Sequence, residues 1–106
     1  MIVRMWRGWA SPARAGEYDR HYRSEVLSML RDVPGFLGAR LLRRDVDEQT
    51  EFLSVTYFAD LDAVRAFAGQ NYETAVVADE ARRVLTRFDT HVTHYDVAFE
   101  ALPPNA

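Results

Sequence analysis

Between Pro34 and Gly69 the chain reads PGFLGARLLRRDVDEQTEFLSVTYFADLDAVRAFAG, a run that holds a helix stop, two strands and a capped helix. Pro34-Gly35 halts any helix before it. FLGARLLRRDV and TEFLSVTYF read as strands, and the polar DVDEQT around which they join predicts a hairpin. Asp60 offers a side-chain oxygen to the first free amides of LDAVRAFA. Val64, Phe67 and Ala68 form the inner face of that helix, and Gly69 ends it.

On the N-terminal side, MIVRMWRGWA (residues 1–10) alternates as a strand does, with Val3, Met5, Arg7 and Trp9 on one face and Ile2 and Trp6 on the other. From Ala13 to Val33, the residues Tyr18, Tyr22, Val26, Met29, Leu30 and Val33 fall on one helical stripe. After Gly69 the polar GQN is a break, YETAVV is expected to form a short helical turn, and DEARRVL continues as helix with Val84 and Leu85 inward. The closing strand is RFDTHVTHYDVAF, Arg87 to Phe99. The resulting order, βαββαβ, predicts an α+β, ferredoxin-like chain with a four-stranded antiparallel sheet. One domain over residues 1–100 is expected, with ALPPNA at 101–106 as a loose tail.

A lone sheet with helices on one face should be polar on the other, and this one is not. Ile2 and Trp6, with Phe52 and Phe58 from TEFLSVTYF, are expected on the open side, and a second copy of the chain is the simplest cover. A homodimer through the open sheet face follows.

Composition excludes several classes of function. The 13 basic residues, all arginine, are balanced by 16 acidic ones to a net charge of −3, so nucleic acid is not an expected partner. The absence of cysteine removes disulfides, thiolate metal sites and cysteine nucleophiles. The charged start has no apolar core for a signal peptide or membrane span, which makes the cytoplasm the expected location. There is no nucleophile elbow, phosphate loop or dinucleotide fingerprint.

The candidate residues are sparse. His91 and His94 stand an odd number apart, so on a regular strand they face opposite sides and cannot share an ion unless a bulge intervenes. No metal site is expected. His94, followed by Tyr95-Asp96, is a candidate proton acceptor in a pocket between sheet and helices, although a half-buried histidine bonded to a neighbour explains it as well. His21, four residues from both Glu17 and Glu25, reads as a helix-surface ion pair. Arg7 either snorkels to water or reaches beneath the second helix to anchor a carboxylate or phenolate. Trp9, Tyr22, Tyr57 and Phe67 come from different elements and either pack as core or converge on a ligand.

PGFLGARLLRR, TEFLSVTYFADLDAVRAFAG and RVLTRFDTHVTHYDV together resemble the antibiotic biosynthesis monooxygenase family of the dimeric α/β-barrel superfamily, from Met1 to about Phe99. The resemblance implies a dimer whose sheets face each other as a barrel, each subunit keeping its own cavity. It also implies one of several activities: oxidation of phenols without metal, flavin or haem, or haem degradation. The haem-degrading pattern of a strand-one asparagine, a second-helix tryptophan and a later histidine meets Arg7 or Trp6, Phe67 and about Val77 here, so no cofactor is expected. The cofactor-free branch suggests a cavity with Trp9, Tyr57, Asn71, Tyr72 and Arg7. The expected function is thus a cofactor-independent monooxygenase-like protein acting on a small aromatic, phenolic or enolisable metabolite, with His94 and Arg7 as acid–base and anion groups. The alternatives are a non-catalytic dimeric module for a small hydrophobic ligand, and a cofactor-free isomerase or cyclase.

Overall fold

A computed structural model describes residues 1–103; positions 104–106 of the expected tail lie outside the described residues. In chain order the elements are β1 (Ile2–Ala10), α1 (Ala15–His21), a wide π turn (Tyr22–Val26), α2 (Leu27–Arg31), β2 (Phe36–Val46), β3 (Gln49–Phe58), α3 (Leu61–Ala68), α4 (Asp79–Val84), β4 (Arg87–Phe88) and β5 (Thr93–Asp96). The strands form one antiparallel sheet in the order β2-β3-β1-β4, with β5 also paired to β1. This is the ferredoxin-like order, its last strand split in two. The hairpin closes through Asp47 and Glu48 at φ 50° and 63°, a turn whose twist matches that of the strands. Asp60 caps α3 by accepting from the Ala63 amide at 2.9 Å.

The split in the closing strand is a register shift. Phe88 pairs with Gly8 and Thr93 with Met5, so the four residues from Asp89 to Val92 face only Trp6 and Arg7. Trp6 Nε1 donates to the Asp89 carbonyl at 2.6 Å and holds the bulge in place. The backbone groups freed by the bulge are taken up by the chain after α3: the Val92 amide donates to Glu73 (2.8 Å) and the Ala75 amide to Thr90 (2.9 Å). Of YETAVV, Tyr72 and Glu73 belong to the turn that starts at Asn71, and the rest does not form helix because Thr74 bridges His91 in the bulge.

The first helix is continuous but not regular. The Leu27 amide reaches the Tyr22 carbonyl five residues back, making one wide turn. Tyr18, Tyr22, Val26 and Leu30 recur every fourth residue, a spacing that drifts off a regular α-helical face and that a wide turn brings back into line. His21 is buried beside Tyr22, while Met29 is 46% exposed instead of joining the stripe.

The two faces of the sheet are the reverse of the sequence expectation. Ile2, Trp6, Phe52 and Phe58 lie under the helices: Phe52 packs with Tyr18, Tyr22, Ala81 and Val84, and Phe58 with Leu30 and Val64. Alternation separates two faces but does not say which one is covered. Gly8 carries that information, since a Cβ there would lie 3.0 Å from the Trp6 side chain and 3.1 Å from that of Leu85, tight contacts that glycine avoids. The open face instead carries Val3, Met5, Arg7 and Trp9 opposite Tyr57, Val55, Leu53 and Glu51.

Candidate functional site

Arg4 projects from β1 on the covered face and is only 5% exposed. Its Nη1 donates to the Tyr72 carbonyl at 2.6 Å and to His94 Nε2 at 3.0 Å, and its Nη2 to the Thr74 carbonyl at 3.4 Å. Among the described residues no carboxylate lies within ion-pair distance of it. Burial lowers its pKa to about 10, so it remains a cation at neutral pH. The Phe67 ring stands 5.7 Å from the guanidinium.

This cation forms part of the wall of a chamber of about 60 Å³ between sheet and helices, shared with Trp6, Tyr18, His21, Tyr22 and Thr56. His21, Val26, Phe67, Val76 and Ala78 line both the chamber and a surface groove of about 590 Å³. They lie between the two. The chamber walls are aromatic and aliphatic apart from Arg4, His21, the tyrosine hydroxyls and the Ser54 and Thr56 floor. Tyr18 has its pKa raised by burial, then by Tyr22, so its phenol stays protonated.

His94 pairs with Arg4 across β1 and β5 and faces the same side. A guanidinium only donates, so Nε2 accepts and the imidazole is neutral with its proton on Nδ1. Burial, reinforced by the Arg4 charge and opposed by Glu73, holds its pKa below the ordinary imidazole value. The Tyr72 ring meets it edge-on at 5.4 Å. His94 does not line the chamber; it stands behind Arg4 and opens on a separate groove with Tyr72 and Glu73. His91 lies on the open face beside Met5, Arg7 and Leu53. Although a bulge separates the histidines, it inserts two residues, and an even insertion preserves the alternation.

The remaining sequence candidates divide between the faces. Tyr22 and Phe67 line the chamber, and Tyr72 backs Arg4. Asn71 is exposed in the turn after α3 and lines neither the chamber nor the groove. Arg7 does not reach beneath the helices: it is on the open face, half exposed and paired with Asp89 at 3.3 Å. Trp9 is also on the open face, with the Arg7 and Arg87 guanidiniums 5.6 Å and 3.9 Å from its ring. Tyr57 lies beyond them near Leu37 and Arg40. The face inversion accounts for all three, and it puts Arg4 where Arg7 was expected. His21 is likewise buried, 7% exposed, with neither ring nitrogen partnered, and makes no surface ion pair. The signal for Arg4 was present in the sequence: a charged residue in step with Ile2 and Trp6 is a cation on an apolar strand face.

Among the described residues no three His, Asp or Glu side chains gather as a metal site, and no helix is long and apolar enough to cross a membrane.

No curated protein matches the chain. Among solved structures, it is similar to the heme-degrader MhuD of Mycobacterium tuberculosis with two hemes bound, at TM-score 0.63 and 23% identity over 95% of this chain and 99% of that one. It is also similar to a variant of SnoaB, a cofactor-independent oxygenase of Streptomyces nogalater, at TM-score 0.65 and 20% identity over 96% of each chain. A third is the ActVA-Orf6 monooxygenase of Streptomyces coelicolor in complex with nanaomycin D, at TM-score 0.64 and 17% identity over 96% of this chain and 91% of that one. These likenesses establish the fold, which proteins of different activity share. The model of the antibiotic biosynthesis monooxygenase family matches residues 1–79, and the chain belongs to that family.

Proposed function

We propose that this protein is a cofactor-independent monooxygenase acting on a small aromatic, phenolic or enolisable metabolite that enters from the groove and inserts its oxygen-bearing edge into the chamber. The observation that carries this reading is Arg4, a buried cation with no carboxylate partner, facing an otherwise largely apolar chamber. Such a group favours an anion, and it stabilises a phenolate or enolate more than the neutral substrate. Ionisation makes the substrate electron-rich enough to react with dioxygen. One oxygen atom then replaces the two hydrogens of an activated methylene as a carbonyl, and the other leaves as water. His94, bonded to Arg4 from behind, acts here as a positioning residue that aims the guanidinium.

The chamber of about 60 Å³ is far below the roughly 300–1,000 Å³ of pockets that enclose a drug-sized ligand, so it admits only a ligand's edge, and the body lies in the groove of about 590 Å³. His94 has its Nε2 engaged by Arg4. No step is assigned to haem.

Residues 1–100 are proposed to act as one domain, and the open face to pair with a second copy through Val3, Met5, Leu53, Val55 and Tyr57. The test of function is oxygen uptake with a panel of polycyclic quinols and phenols. Wild type and Arg7→Ala are expected to consume oxygen alike, with Arg4→Met slower by about 100-fold. Binding without oxygen uptake would replace this reading with a ligand-binding module, and an isomeric product formed without uptake would replace it with an isomerase.

A further inference from the structure

Two polar side chains on the chamber wall are unaccounted for. Both His21 nitrogens and the Tyr22 hydroxyl are buried without a hydrogen-bond partner among the described residues, in residues 7% and 5% exposed. Buried polar groups in folded proteins are nearly always satisfied, and exceptions concentrate where a ligand or water completes them. Here the two are adjacent in sequence and line the same chamber as Arg4. His21 and Tyr22 follow Tyr18 by three and four residues, the spacing that sets all three on one helical face, and all three line the chamber.

We propose that His21 is the group that takes the proton from the substrate hydroxyl, with Tyr22 and Arg4 holding the oxygen left behind. In this step the substrate O–H bond breaks, its electron pair stays on oxygen, and the proton forms an N–H bond on the imidazole. A neutral imidazole has one nitrogen lone pair for this purpose, and at His21 no protein group competes for it, whereas at His94 Arg4 already occupies Nε2. His21 lines both groove and chamber, so a substrate that reaches from one into the other meets it. The charged and titratable groups around it are Arg4 from β1, Glu17, Tyr18, Arg20, Tyr22 and Glu25 from its own helix, and Glu80 from α4. This assignment rests on the proposed function and refines it by naming the proton acceptor.

The experiment uses 4-nitrophenol, whose ionised form absorbs in the visible, added to the full chain in weak buffer with a pH indicator. Below the phenol's own ionisation midpoint, the wild-type complex is expected to show the phenolate spectrum with little proton released to solvent, because His21 retains it. His21→Gln is expected to lose the phenolate spectrum or to release about one proton per ligand, with quinol turnover down by about 100-fold; the isosteric Tyr22→Phe is expected to raise the ionisation midpoint. Release of a full proton by the wild type, or a His21→Gln variant with unchanged spectrum and proton balance, would overturn the assignment. So would a haemin Soret shift abolished by His21→Gln, which would make His21 a metal ligand. If nitrophenol binds un-ionised and Arg4→Met changes nothing, the functional reading itself fails, independently of His21.

Discussion

β1 carries one arginine on each face of the sheet, and the two behave oppositely. Arg4 is buried, lacks a carboxylate, and spends its donors on two carbonyls and a histidine. Arg7, three residues on, is half exposed, paired with Asp89, and lies against Trp9. A surface pair such as Arg7–Asp89 is worth roughly 0–1 kcal/mol and asks for nothing more. A desolvated, unpaired cation is costly to keep, and its retention makes sense where an anion visits. The same residue type in the same strand is thus a buried cation without a carboxylate on one face and a half-exposed, carboxylate-paired one on the other.

The two faces separate most sharply in stability. Phe52, fully buried against Tyr18 at 4.8 Å between ring centroids, is on the helix side, and Phe52→Ala is expected to cost about 4 kcal/mol in denaturant unfolding. Its neighbour Leu53 points to the open face. Leu53→Arg should leave the subunit folded but shift native mass spectra or sedimentation from dimer to monomer. If it unfolds the chain as Phe52→Ala does, the open face belongs to the core, and if wild type is a monomer the proposed partner is wrong.

Arg4→Met removes the unpaired cation but keeps much of its apolar length. Turnover should fall by about 100-fold, while thermal stability stays level or rises, since a buried charge without a partner is replaced by a side chain that needs none. Arg7→Ala should change oxygen uptake by less than about twofold and stability by no more than about 0.5 kcal/mol. Equal losses from both variants would erase the distinction between the faces.

The element order was legible because each boundary had its own chemistry: Pro34-Gly35, the polar link around Asp47, the Asp60 cap and Gly69. The faces of β1 were not, because alternation is symmetric, and the one asymmetric clue was the absence of a side chain at Gly8. The run after Asn71 was unreadable for a different reason. Its partner is a bulge in a strand distant in sequence, so no local pattern records the pairing. The candidate site inherited the face error: Arg7, Trp9 and Tyr57 went to the wrong side together, while Tyr22, Phe67 and Tyr72, placed by helix and turn positions independent of that choice, surround the chamber or back its arginine. His21 escaped notice because flanking Glu17 and Glu25 offered an adequate surface explanation, although its place three residues after Tyr18 put it at the edge of the apolar stripe.

The subtlest difference between the faces is their response to acid. Burial, with the Arg4 charge, holds the His94 pKa below its ordinary value of 6.5. As pH falls below that value, the unfolded chain binds a proton that the folded chain resists, so the unfolded state holds more protons and stability declines with acidification. The decline begins near pH 6.5 and levels off once folded His94 is itself protonated. Protonation also removes the lone pair that accepts from Arg4 and sets two cations face to face, so the guanidinium loses its aim and kcat/KM should fall over the same range. His94→Gln, whose amide oxygen accepts without titrating, should flatten this component of the acid limb in both stability and turnover, while His91→Gln on the open face should leave it in place. An acid limb unchanged in His94→Gln would show that Arg4 is held by the Tyr72 and Thr74 carbonyls alone.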